Sequence, residues 1–215
     1  MEPDGAARGD RGADGGLGDD ALERDAPGRD DAGRSGAEPG DALLLSGEIG
    51  GAAAGLLLLE RPELAAAVPD HTAEHLRRRQ LDPAPRLATG RALVAAGARA
   101  MIDLSDGLGG DASHLANASG VGLRIDAAAL PLANGLAEVA AAAGRDPLEL
   151  ATSGGEDYEL LAALPPQRLA EASASIARAA ETTLTQVGEA RAGEGVEIRL
   201  PGGGTVTPSG FDQLR

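Results

Sequence analysis

The sequence has no cysteine, no tryptophan and no lysine. Without cysteine, disulfides and thiolate metal sites are excluded, so any metal must be held by oxygen or imidazole. Without lysine, all 19 basic side chains are arginine. A P-loop needs the lysine of G-x-x-x-x-G-K-[ST], and a protein kinase needs its strand lysine, so both of those phosphate-handling machines are excluded. Aromatics are almost missing: Tyr158 and Phe211 are the only two. The core must rest on Leu, Ala, Val and Ile, which bury less area per residue. Positive charge is scarce as well. A formal net charge of −15 disfavours a nucleic-acid partner. Long apolar runs are lacking; "GAAAGLLLLE" is too short and too interrupted by glycine to span a bilayer. The start, "MEPDGAARGD", has no apolar region of the secretory type. The expectation is a cytoplasmic protein with no nucleic-acid and no membrane partner. What the chain does have is 34 carboxylates, the donors that suit a hard cation such as Mg²⁺.

The 215 residues suit one domain plus a tail. Residues 1–38 are rich in Gly, Asp, Arg and Ala with no apolar periodicity, and read as a disordered low-complexity segment. Their codons are GC-rich, so out-of-frame translation is a second reading of that segment. Order is expected over 39–215. "ALLLSG" reads as a buried strand and Ala52–Glu60 as a helix. "HTAEHLRRRQL" and "RLATGRALVAAG" read as helices, the second stopped by Gly97. "ARAMIDL" is a strand, followed by a helix over 109–119 that packs Ala112, Leu115 and Ala118 and ends at Gly120. "GLRIDA" is a strand and "NGLAEVAAAAG" a helix capped by Asn134. "DPLELATSG" is a short helix, "DYELLAAL" a strand and "PPQRLAEASASIARAA" a helix. "TLTQVGEA", "VEIRL" and "TVTP" close the chain as strands, with "PGGG" as a hairpin turn. Alternating strands and helices give an α/β or α+β class.

Two stretches carry the chemistry. In "AMIDLSDGLGGD", residues 100–111, Asp103 ends an apolar strand, Ser105 and Asp106 follow, and glycines open a helix. A strand end leading through glycines into a helix is a usual ligand position in α/β proteins. Asp103 and Asp106 can share Mg²⁺, and Ser105 can donate to phosphate. From spacing alone, an Asp or Ser cap on the following helix is an equal reading. The second stretch is "SGGEDYEL", residues 153–160, three carboxylates around the lone tyrosine. By itself it reads as a tight turn into an edge strand with Glu156 solvated. "HTAEH" matches an inverted zinc-peptidase pattern through His71, Glu74 and His75. It lies on a short helix between prolines without a clear third ligand, so both histidines read as surface residues. His114 reads as packing or capping, and Arg77–Arg79 as a solvated helix face.

Together these residues resemble a family. "MIDLSDGLGGDASHLANASGVGLRID", "AALPL" and "SGGEDYEL" are similar to the carboxyl-terminal half of thiamine-monophosphate kinase. "RSGAEPGDALLLSGEIGGAAAGLLLL", "HLRRRQLDPAPRLATGRAL" and "PSGFDQL" extend the likeness from Arg34 to the end. The D-x-S-D-G-L segment is shared with aminoimidazole ribonucleotide synthetase and selenide water dikinase; "GGEDYEL" points to the thiamine enzyme. The resemblance implies the carboxyl-terminal α/β domain of the aminoimidazole ribonucleotide synthetase-like superfamily, a mixed sheet covered by helices, over 39–215. It implies ATP- and Mg²⁺-dependent phosphorylation of thiamine monophosphate to thiamine diphosphate. It implies Mg²⁺ on Asp103 and Asp106, ATP on Arg34 and Ser105, and substrate on Glu156 and Phe211. The family also carries an amino-terminal domain with further metal ligands and the dimer interface, which this sequence lacks. The family's homodimer is therefore not expected here. An inactive nucleotide-binding remnant, or another ATP-using enzyme of the superfamily, is the alternative.

Overall fold

Three consecutive leucines in "ALLLS" are unusual for a half-exposed strand, where apolar residues alternate with polar ones. A strand buried on both faces removes that restriction. The computed structural model, which describes residues 33–179 and 182–206, places this run as β1 (Ala42–Ser46), buried at every position. Leu43 and Leu45 point into the larger of two apolar clusters and Leu44 into the smaller, on the opposite face.

The remaining elements are α1 (Gly51–Glu60), α2 (Asp70–Leu81), α3 (Leu87–Ala95), β2 (Ala100–Asp103), α4 (Leu108–Ser119), β3 (Gly122–Asp126) and α5 (Leu136–Ala143). Then follow α6 (Pro147–Ser153), β4 (Leu160–Leu164), α7 (Leu169–Ala179), β5 (Leu184–Arg191), β6 (Val196–Arg199) and β7 (Thr205–Val206). The seven strands form one sheet in the order β2-β4-β1-β5-β3-β6-β7. All neighbours are antiparallel except β3 and β6. This is the mixed sheet covered by helices that the sequence leads one to expect.

Helices α3 and α7 cover one face through Leu93, Ala96, Ala172 and Ile176. The other face carries α1, α2, α4, α5 and α6, with Leu58, Leu76, Leu115 and Leu136 fully buried. Each such leucine contributes about 2 kcal/mol by leaving water. That burial makes up for the missing aromatics with many small and medium side chains.

Three local expectations need correction. Asn134 does not cap α5: the cap position is Gly135, in the left-handed region at φ 86°, with no side-chain cap bond. On α4 the buried stripe is Ala112, Leu115 and Ala116, while Ala118 is exposed. The fourth strand begins at Leu160, not at Asp157. The three residues before it form an irregular link that matters for the site. Phe211 lies outside the described residues, as does most of the 1–38 segment. Of that segment, Gly33 accepts a hydrogen bond from the Met101 N–H on the edge of the sheet (2.9 Å), and Ala37 is buried.

Among the described residues, no helix is long and apolar enough to cross a membrane.

Candidate functional site

The site is built where two glycine-containing turns meet. The first leaves the end of β2 and enters α4, as Leu104–Gly107. The second leaves α6 and enters β4, as Gly154–Glu159. They are joined backbone to backbone: the Glu156 N–H donates to the Ser105 carbonyl and the Tyr158 N–H to the Leu104 carbonyl, both at 2.9 Å. Two glycines allow the approach. Gly107 has φ 92°, and a Cβ there would lie 2.8 Å from the Gly154 carbonyl oxygen. A Cβ on Gly155 would press on the Ser105 carbonyl oxygen. The structure therefore brings Asp103, Ser105, Asp106 and Glu156 to one end of the sheet.

Asp103 is exposed, and Ser105 and Asp106 are half-buried. None of the three caps α4. Its cap position is Gly107, with no side-chain cap bond, so the capping alternative falls away. The first turn of α4 keeps its backbone N–H groups directed at the turn, as a helix start does where no cap covers them. Arg34 follows Gly33, which is bonded to β2 two residues before Asp103; Arg34 is exposed on that edge.

Asp111 was not singled out in the sequence. It is buried in the first turn of α4, and its carboxylate accepts the Asp106 N–H at 2.9 Å. Burial pushes its carboxyl up to about 6; the bond from Asp106 opposes this, and the charges of Asp106 and Asp103 add to it. His114, exposed one turn later, pulls it back slightly. Asp103, Asp106 and Asp111 are thus close enough to feel one another's charge. The available signal was its spacing, five residues after Asp106 and inside the first helical turn.

The second turn alternates. Glu156 and Tyr158 are exposed, while Asp157 and Glu159 are buried. Both exposed residues have positive φ, 69° at Glu156 and 49° at Tyr158, which is uncommon for non-glycine residues. Asp157 accepts the N–H groups of Gly50 and Ala52 (2.7 and 3.1 Å) at the start of α1. Burial pushes its carboxyl up, against the pull of those bonds and of Arg79. Glu159 is fully buried. It accepts from Ser46 Oγ (2.6 Å), from Arg79 Nη1 (3.1 Å) and from Arg86 through Nε and Nη2 (2.8 and 2.6 Å). Arg79 is therefore not part of a solvated face. His71, Glu74 and His75 are exposed on α2, as expected.

A cleft of about 1030 Å³ opens beside β2, between it and α3. Asp103, Tyr158, Arg86, Arg91 and Met101 line parts of it. Asp103 thus faces an open space large enough for a small organic ligand.

Among the described residues, no group of three or more acidic or imidazole side chains is arranged as a metal cage. Mg²⁺ is usually held by one or two carboxylates and completed by water and substrate phosphates. The exposed Asp103 and half-buried Asp106 offer such oxygen donors. The ion pairs formed by the described arginines go to other carboxylates.

The family described as AIR synthase related protein, C-terminal domain, matches residues 38–201. The chain belongs to that family. Within it, the chain is 41% identical over 143 residues to the thiamine-monophosphate kinase of Halobacterium salinarum, covering 66% of this chain and 44% of that protein. The crystal structure of thiamine-monophosphate kinase from Stenotrophomonas maltophilia K279a superposes with a TM-score of 0.69 at 36% identity, covering 78% of this chain and 52% of the other. A structure described as AaThiL complexed with AMPPCP and TMP gives a TM-score of 0.66 at 34% identity, covering 85% and 54%. The chain spans about half the length of the curated relatives it matches. This AIR synthase-related chain is thus similar to the carboxyl-terminal half of thiamine-monophosphate kinases, the name that these curated relatives carry.

Proposed function

We propose that the chain supplies one side of a thiamine-monophosphate kinase site, in which ATP and thiamine monophosphate give ADP and thiamine diphosphate. The observation that carries this reading is the backbone junction of the two turns, Glu156 to Ser105 and Tyr158 to Leu104. It joins the turn that carries Ser105 to the turn that carries Glu156, which supports reading the two as one site. In this reading Arg34 and Ser105 hold ATP phosphates, Asp103 and Asp106 hold Mg²⁺, and Glu156 and Phe211 hold the cationic substrate, a carboxylate and a ring suiting that charge. Bound Mg²⁺ would screen the negative charge of two phosphates from one another. The chain's own task is positioning: aligned phosphates react by direct in-line transfer, with no lysine and no covalent enzyme intermediate. Residues 39–215 act as the carboxyl-terminal kinase domain, with 1–38 as a tail, in the cytoplasm.

A second reading is a catalytically inactive nucleotide-binding remnant of the same family. A coupled ADP-release assay with ATP, thiamine monophosphate and Mg²⁺ separates the two. Little turnover is expected from these residues alone, which span about half the length of the curated relatives. ADP release that depends on thiamine monophosphate, even when slow, supports the kinase reading. Release that ignores thiamine monophosphate, or none at all, favours the remnant.

A further inference from the structure

The Gly154–Glu159 turn holds two positive-φ residues in succession around a buried aspartate, an arrangement that persists only where surroundings enforce it. Besides Gly50, Ala52 and Ser46, the groups that hold the turn come from the α2–α3 junction. Arg79, in the last turn of α2, reaches Glu159 (3.1 Å), the Glu48 carbonyl oxygen (2.8 Å) and Asp157 (3.7 Å). Its neighbour Gln80 donates to the Glu156 carboxylate. Arg86, at the start of α3, grips Glu159 with two parallel bonds. These contacts help to hold Asp157 and Glu159 inward, and Glu156 and Tyr158 face outward.

We propose that Arg79, Gln80 and Arg86 form a clasp that positions Glu156 and Tyr158, so that the α2–α3 junction tunes substrate affinity without touching substrate. These are positioning residues. The clasp deepens the reading above, since it rests on Glu156 as a substrate contact. It explains why the end of α2 carries an inward arginine beside a glutamine, where a solvated face would serve a helix terminus equally well. It also links two openings of the fold: Arg86 and Tyr158 both line the cleft beside β2, whereas Glu156 sits over α2.

Tyr158 is the only tyrosine, and the chain has no tryptophan, so its fluorescence reports this turn alone. The test uses the full chain and two variants. Arg86→Lys keeps the charge but loses the two-pronged grip. It should raise acrylamide quenching of Tyr158 about twofold while far-ultraviolet circular dichroism stays unchanged, as a strained turn relaxes. Arg91→Ala, a cleft arginine outside the clasp, should leave quenching unchanged. Gln80→Ala should weaken calorimetric binding of thiamine monophosphate about tenfold, the loss expected when a charged partner is no longer held. Quenching of Tyr158 that is the same in Arg86→Lys as in the wild type overturns the clasp. So does unchanged substrate binding in Gln80→Ala. Should the wild-type chain bind no thiamine monophosphate while the Arg86→Lys quenching still doubles, the clasp stands and the substrate assignment of Glu156 fails.

Discussion

Between Asp103 and Asp111 the Asp111 carboxylate accepts the Asp106 N–H, but among the described residues no arginine pairs with these carboxylates, and the helix start beside them is left uncapped by any side chain. Between Asp157 and Glu159, a few ångströms away, every carboxylate oxygen is met by a backbone N–H, a serine or an arginine. Both stretches look alike on paper, as acidic residues next to glycines. The difference is where each region finds its counter-charge. The second finds it inside the chain and becomes structure. The first does not, which favours the proposal that it takes a cation and phosphate. Carboxylates gathered without counter-ions destabilise the fold, which favours a ligand role where one of them borders a cleft, as Asp103 does here.

The largest effect should follow from breaking the satisfied region. Glu159→Ala leaves two arginines and Ser46 without their partner. It should cost about 3–5 kcal/mol in urea unfolding, the usual penalty for removing one side of a buried ion pair. A loss below about 1 kcal/mol would mean that the network is not truly dry.

The junction between the regions comes next. Gly107→Ala places a Cβ against the Gly154 carbonyl at a positive φ. About 1–3 kcal/mol of destabilisation is expected, with the two turns pushed apart.

The unsatisfied region should respond in the opposite direction. Asp111 has a folded-state carboxyl raised to about 6. In metal-free buffer the folded chain therefore holds this proton more tightly than the unfolded chain. Its contribution to stability is complete below the unfolded value, about pH 4, and is lost as pH rises through about 6. Asp111→Asn can still accept the Asp106 N–H, and should be more stable than the wild type by about 2 kcal/mol at pH 8 and equal to it at pH 4. Thermal melts across that range check the sign; a variant less stable at pH 8 would show that Asp111 is a satisfied group.

The contrast was only partly legible in the sequence. The strand–turn–helix framing of Asp103 and Asp106 could be read because "MIDL" is apolar and Gly107, Gly109 and Gly110 break the pattern. The buried leucines of β1 and the C-terminal glycine of α4 were legible for the same reason: they follow from local geometry. Arg79 and Asp111 were not. A run of three arginines on a short helix has the pattern of a solvated face, and only the distant Glu159, 80 residues later, turns one of them inward. Asp111 in a helix's first turn looks like a favourable dipole partner, and its burial is decided by what packs over α4. The cap of α5 was not legible because Asn is a common cap, while the left-handed Gly135 beside it takes the position.

The smallest effect belongs to the surface. Glu74→Ala or His75→Ala on α2 should change stability by no more than about 0.5 kcal/mol, because both are exposed and Glu74 pairs with Arg78 only at 3.9 Å. Zinc should not alter either variant's melting temperature.

The central claim is that the unpaired carboxylates of the first region take Mg²⁺ together with a nucleotide. Calorimetric titration of ATP into the chain, with and without Mg²⁺, in wild type and Asp103→Asn, tests it most directly. The account predicts binding that requires Mg²⁺ and is lost in Asp103→Asn. Binding of equal strength without Mg²⁺, or unchanged in the variant, would contradict it.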